Sequence, residues 1–294
     1  MLLRKKLLRL SGAAVLAGMM IATRAGAAET AEQIVLDPAW EFAGYSVINT
    51  GSAALYHAPA EAARGVTVCV NAGHGTAGGA AVYTLSHPDG SAKLVSGTTQ
   101  AGATQSIAIS AGTTLLDGSS EAAANLSLAM LLKEKLLDNG YDVLIIRQTE
   151  DVQLDNIART VIANNTADCH IALHYDSTQN DKGIFFLTPP SVDAYLNMYP
   201  VSRHWQEHTA LGRALISGLQ SVGAGIYGTG EMEMDLTQTS YSTIPSVDLE
   251  VGDTASDHSE YTQGIIADGI VAGLNTFFSE RAAEPEKPGS RENF

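Results

Sequence analysis

The chain has 294 residues, of which 45% are hydrophobic and 17% charged, with 32 acidic residues against 17 Lys and Arg and a formal net charge of −15. That balance argues against nucleic acid as a partner, because phosphate binding needs a basic footprint, and it gives no electrostatic help in approaching an anionic cell surface. The length suits one α/β domain whose core needs no staples, so stability need not come from the two cysteines, Cys69 and Cys169.

Residues 1–27 read as a secretory signal, with a basic start (Arg4, Lys5, Lys6, Arg9), an apolar stretch over 13–22 and the small-residue site Ala25-Gly26-Ala27. The stretch falls short of the roughly 20 residues that span a bilayer, and no cysteine near the start can carry a lipid, so no stable membrane insertion is expected. Removing this segment takes away five basic residues and leaves 12 against 32 acids, a formal −20. Residues 28–64 form a lead-in that packs on the domain, with one extended apolar stretch, Tyr45-Ser46-Val47-Ile48.

From Val66 the pattern sharpens. The β-branched run Val66-Thr67-Val68-Cys69-Val70 predicts a strand that feeds the glycine-rich loop Asn71-Ala72-Gly73-His74-Gly75. Residues 76–118 are rich in Gly, Ser, Thr and Ala, and a structureless loop of that length is unusual, so hairpin strands or a functional insertion are expected. A helix is expected to start at Ser119-Ser120-Glu121, with a serine N-cap and an acid in the first turn, and to stop at Asn139-Gly140.

Residues 141–146 then read as a second strand. Leu154, Ile157, Ala158, Val161 and Ile162 share one helical face, and residues 168–174 read as the third strand. A fourth strand is expected over 183–187, a helix over 205–222, a strand over 246–251 and a closing helix marked by Tyr261, Ile265, Ile266, Ile270, Leu274 and Phe278. Residues 281–294 read as a flexible, charged tail. Such alternation with short connections predicts a three-layer α/β/α sandwich with a mostly parallel central sheet, since parallel strands need crossovers.

Open α/β sheets bind ligands beyond the carboxyl ends of their strands. His74, His174 and Glu250 fall at those ends, and Glu121 joins them if its helix starts on the same edge. Two imidazoles and a carboxylate, His74, His174 and Glu121, make a common catalytic zinc set, and Glu250 beside them is placed to move a proton. Taken singly, each has an ordinary alternative: a loop histidine, an acid favouring the helix dipole, a strand-end histidine bonded to backbone. Only their joint placement on one edge favours the metal.

The runs Val68-Cys69-Val70-Asn71-Ala72-Gly73-His74-Gly75, Glu121-Ala122-Ala123-Ala124-Asn125-Leu126, Gly140-Tyr141-Asp142-Val143, Ile171-Ala172-Leu173-His174 and Pro245-Ser246-Val247-Asp248-Leu249-Glu250-Val251-Gly252 resemble, in order, the zinc-dependent N-acetylmuramoyl-L-alanine amidases of the amidase 3 type. Arg159 with Ala163-Asn164 and Ala167-Asp168 fits the same order. The resemblance covers about residues 66–279. It implies a catalytic domain over 65–280, Zn2+ on His74, Glu121 and His174, Glu121 and Glu250 as catalytic glutamates, and peptidoglycan as substrate. The bond implied joins N-acetylmuramic acid to L-alanine of the stem peptide, which places the protein outside the cytoplasm at the cell wall.

Three departures concern substrate contacts more than the metal. The segment between His74 and Glu121 is long, Asn71-Ala72 stands where Asp-Pro is usual, and no Leu-Arg precedes Pro245 near Thr239. The insertion at 76–118 is therefore a candidate lid or plug, and a catalytically silent peptidoglycan-binding or regulatory protein on an amidase scaffold is the alternative reading. Cys69 and Cys169 sit level if their strands are parallel neighbours, and then either pair or remain buried thiols. Asp176 is a candidate to orient a ligand, or else a loop acid. His204 and His208 lie one turn apart without the intervening Glu of a metalloprotease helix, Trp205 reads as a packing anchor, and the glycine-rich loop lacks a dinucleotide fingerprint.

Overall fold

The computed structural model describes residues 31–283, so the segment read as a secretory signal and most of the segment read as a tail lie outside the described residues. In chain order its strands are β1 (Glu32–Ile34), β2 (Ala53–Tyr56), β3 (Thr67–Ala72), β4 (Tyr83–Leu85), β5 (Gln105–Ile107), β6 (Asp142–Ile145), β7 (Cys169–Asp176), β8 (Ile184–Thr188), β9 (Ile226–Glu233) and β10 (Ser246–Asp253). Its helices are α1 (Glu121–Asp138), α2 (Asn156–Thr166), α3 (Asp193–Leu196), α4 (Val201–Ser221), α5 (Thr237–Tyr241) and α6 (Glu260–Ala283).

Eight strands form one sheet in the order β1-β2-β6-β3-β7-β10-β8-β9. The central four, β6, β3, β7 and β10, are parallel, so their carboxyl ends share one edge. Alternation along each strand divides the core. Val68, Val70, Ile171, Leu173, Val247 and Leu249 face α1, α4 and α6, whereas Cys69 and Leu144 face Leu154 and, on α2, Ala158 and Ile162. Leu128, Leu132 and Leu136 carry α1 onto the first layer, each fully buried and worth about 1.5–3 kcal/mol of transfer. The expected three-layer α/β/α architecture is therefore present.

Several elements differ from the sequence expectation. The lead-in contributes β1 and β2, which extend the sheet antiparallel from β6, while Tyr45 closes a short 3-10 turn instead of starting an extended run. The stretch after Tyr45 is tied down by Asp155, the N-cap of α2, whose carboxylate also accepts from Ser46 Oγ and the Val47 and Ile48 amides at 2.7–3.0 Å. The strand expected over 183–187 forms as β8 but runs antiparallel to β10. Glycines in Ile226-Tyr227-Gly228-Thr229-Gly230 conceal β9, and α6 continues through residues 281–283, into the segment read as tail.

Cys69 and Cys169 are free and lie on opposite faces of the sheet. Register puts Cys69 opposite His170 and Cys169 opposite Val68, one residue out of level. The equal five-residue spacings mislead because His174 lies within a strand while His74 lies in a turn beyond one.

Candidate metal centre

β3 ends at Ala72, and the chain turns through His74 with φ 63°, a left-handed conformation that costs a non-glycine residue about 1–2 kcal/mol. Two buried guanidiniums hold it there. Arg147 donates to the Ala72 and Gly73 carbonyls at 2.9 Å, and Arg159 donates to the His74 carbonyl at 2.6 Å and to Asn71 Oδ1 at 3.0 Å. Burial, and for Arg159 also the charge of Arg147, pushes their pKa values down to about 10 and about 9. Gly73 is required by a close approach, since a Cβ there would lie 2.2 Å from the His174 ring.

Glu121 opens α1, capped by Ser120, whose side chain accepts from the Ala123 amide. The carboxylate is braced by the Thr113 amide at 2.9 Å and the Tyr175 amide at 3.1 Å. His74 Nδ1 lies 3.0 Å from the Ser110 carbonyl, which accepts its proton and leaves a lone pair on Nε2. That Nε2 lies 2.8 Å from Glu121 Oε1, and His174 Nδ1 lies 3.0 Å from both.

Three ligand atoms thus converge, and they form the single His, Cys, Asp or Glu cluster with metal-holding geometry among the described residues. The triangle is a few tenths of an ångström tighter than the roughly 3.4 Å edge of a tetrahedron with bonds of about 2.1 Å. Contacts this short need a proton or a metal cation between the donor atoms, and two imidazoles with a carboxylate, largely buried, are a donor set that fits a divalent metal. Burial opposes the charge on Glu121, but the neighbouring His174 and His74 rings outweigh it and hold the carboxyl well below its usual range. Burial likewise opposes a charged His174, but the carboxylates of Asp248, Glu121 and Glu250 push it up to about 10.

Glu250 sits opposite His174 in the β7–β10 register. Its Oε2 is buried with no hydrogen-bond partner, and burial, then the neighbouring Asp248, pushes its carboxyl well above the usual range. All four residues line a cavity of about 600 Å3. The insertion walls this cavity without filling it, and supplies Ser110 and Thr113 directly to the ligands. Its outer part, which includes the β4–β5 hairpin, is clasped by Asp235 after β9. One Asp235 oxygen meets His87 Nε2 at 2.9 Å and Lys93 Nζ at 3.4 Å, and the other accepts from the Leu94 amide at 2.8 Å.

The other candidates are not part of the cluster. Asp176 pairs with Lys182 and accepts from Thr178 Oγ1 at the wall of the same cavity. His204 faces Glu207, whereas His208 is buried and accepts from the Ser246 amide, so the two do not form a metal pair. Trp205 packs on Tyr195, Met198 and Val201. Sequence reasoning missed Arg147, Gly112, Ser110 and Thr113. A charged residue directly after the apolar run Val143-Leu144-Ile145-Ile146 is a signal for Arg147, while the braces from the Ser110 carbonyl and Thr113 amide are backbone groups with no side-chain signature.

Comparison with known proteins gives the same reading. A family model described as N-acetylmuramoyl-L-alanine amidase matches residues 68–275. The solved structure of the amidase Ami1 from Mycobacterium smegmatis is similar at 17% identity with a TM-score of 0.58, covering 74% of this chain and 99% of that one. An N-acetylmuramoyl-L-alanine amidase from Clostridium difficile 630 is similar at 19% identity and TM-score 0.52, covering 74% and 98%, and the catalytic domain of CwlV from Bacillus (Paenibacillus) polymyxa at 17% and 0.51, covering 73% and 98%. No curated protein sequence matches significantly. These structures share the fold, and the family match spans most of the chain together with all four site residues: the protein belongs to the N-acetylmuramoyl-L-alanine amidase family and is an enzyme of peptidoglycan hydrolysis.

Proposed function

We propose that the protein is a secreted, zinc-dependent amidase that cleaves the bond between the lactyl group of N-acetylmuramic acid and L-alanine, using His74, Glu121 and His174 as ligands and Glu250 as proton carrier. The observation that carries this is the convergence of three ligand atoms with an unpaired buried carboxylate at one sheet edge. Bound zinc would supply Lewis acidity at the scissile carbonyl and acidify a water. Glu250 Oε2, which makes no hydrogen bond of its own, is placed to take the proton from the attacking water and deliver it to the departing alanine nitrogen. A carboxylate whose affinity for protons is raised by burial suits a group that must hold a proton between those two events. The catalytic domain is assigned to 65–280 with 28–64 as its lead-in, and secretion rests on the signal-like residues 1–27 together with a substrate found outside the cytoplasm.

The test is release of free stem peptide from purified peptidoglycan by the mature protein, with and without chelator, beside Glu250→Ala. Activity is expected to vanish with chelator, return with zinc, and fall about 10²–10⁴-fold in the variant while metal is retained. Tightly bound metal with no cleavage of any muropeptide would instead establish a silent, wall-binding protein.

A further inference from the structure

The two histidines of the cluster use opposite ring nitrogens, His74 through Nε2 and His174 through Nδ1. A metal-binding imidazole is oriented by whatever accepts the proton on its other nitrogen. For His74 that acceptor is the Ser110 carbonyl at 3.0 Å. For His174 the outward nitrogen, Nε2, faces Asp248, whose Oδ2 is 3.7 Å away. That distance is an ion-pair contact, and a sub-ångström adjustment of either side chain closes it to a hydrogen bond.

Asp248 reaches this position through strand geometry. In β10, Val247, Leu249 and Val251 turn toward the core, so Asp248 and Glu250 share the opposite face, with Asp248 opposite Ala172 and Glu250 opposite His174. The two carboxylates therefore flank the His174 ring, while Gly73 lies close against it. Asp248 is buried, and its Oδ1 has no hydrogen-bond partner. A buried carboxylate with a bare oxygen is costly to keep, and the contact the structure gives its other oxygen, Oδ2, is the His174 nitrogen.

We propose that Asp248 is a positioning residue for His174, holding the outward ring nitrogen so that the inner one presents its lone pair to the metal. The inference rests on the metal-binding reading above and deepens it: Glu250 serves the reacting atoms, whereas Asp248, two residues before it, serves the ligand. Removing Asp248 weakens metal binding without needing to disturb the fold, because the apolar face of β10 stays intact.

The experiment measures zinc affinity of the wild type, Asp248→Leu and Asp248→Asn by competition with a chromophoric chelator, together with thermal unfolding of the three metal-free proteins. Asp248→Leu is expected to bind zinc about 10–100-fold more weakly, and Asp248→Asn, which keeps an acceptor oxygen, to lose less. The metal-free midpoints are expected to stay level or rise, since an underpaired buried carboxylate has been removed. Unchanged zinc affinity in both variants overturns the proposal, and with lowered metal-free stability it assigns Asp248 to packing alone. Should Asp248→Leu fail to fold, Asp248→Asn decides on the same readout. Failure of the wild type itself to bind zinc removes the metal reading, a result distinct from equal binding by wild type and variants.

Discussion

Gly112 shows how narrowly the ligand cluster is built. It has φ +83°, and a Cβ there would lie 2.7 Å from the His74 ring and 3.0 Å from Glu121 Oε2. Gly112→Ala therefore combines backbone strain of about 1–3 kcal/mol with displacement of two ligands. Zinc stoichiometry and affinity should both fall, the latter about tenfold or more by the scale of ligand-orienting substitutions. Full zinc occupancy in a folded Gly112→Ala protein would show that the cluster tolerates what its geometry forbids. The four polar side chains that converge were legible from the sequence because each falls near the carboxyl end of a strand or opens a helix on one edge. Asp248 was not assigned a role, because its significance lies in facing one particular ring nitrogen, which strand alternation alone does not specify.

At the scale of elements, the insertion is both a support and a strap. Ser110 and Thr113 brace His74 and Glu121, so deleting residues 80–115 removes supports of the His-Glu-His cluster and does not isolate a lid. The clasp at Asp235 offers a cleaner test. Its side chain is fully buried between His87 and Lys93, and breaking a buried pair of this kind costs about 3–5 kcal/mol. Asp235→Ala should therefore raise amide hydrogen exchange across residues 86–103 while exchange in α1 and β7 stays slow. Protection unchanged over 86–103 would mean that the strap does not depend on this carboxylate. The lead-in depends on Asp155 in the same way: Asp155→Ala removes a helix cap and three further hydrogen bonds, and a loss of about 2–4 kcal/mol in denaturant unfolding is expected.

Across the whole molecule, acid lability follows from two histidines outside the metal set. Burial, aided by the charge of Arg159 on His170 and of His204 on His208, pushes both pKa values down to about 3. In the unfolded chain they titrate near 6.5, so between those limits the unfolded state binds more protons than the folded one. The stability they contribute is complete above about pH 6.5 and declines as pH falls toward 3, by up to about 1.4 kcal/mol per pH unit for each histidine. His208→Asn, whose side-chain oxygen can still accept from the Ser246 amide, should flatten the decline between pH 6.5 and 4.5 relative to wild type. An identical slope in the two proteins would contradict this origin.

The sequence by itself determined the parallel centre of the sheet, the two helical layers and the four polar residues at one edge, because those features follow from local periodicity, capping and strand ends. Only the tertiary structure decided that β8 reverses direction, that the lead-in completes the sheet, that Cys69 and Cys169 face opposite sides, and that insertion backbone braces the ligands. Each of these depends on register or on contacts between segments far apart in the chain, and a residue pattern carries no information about which distant backbone group it will meet.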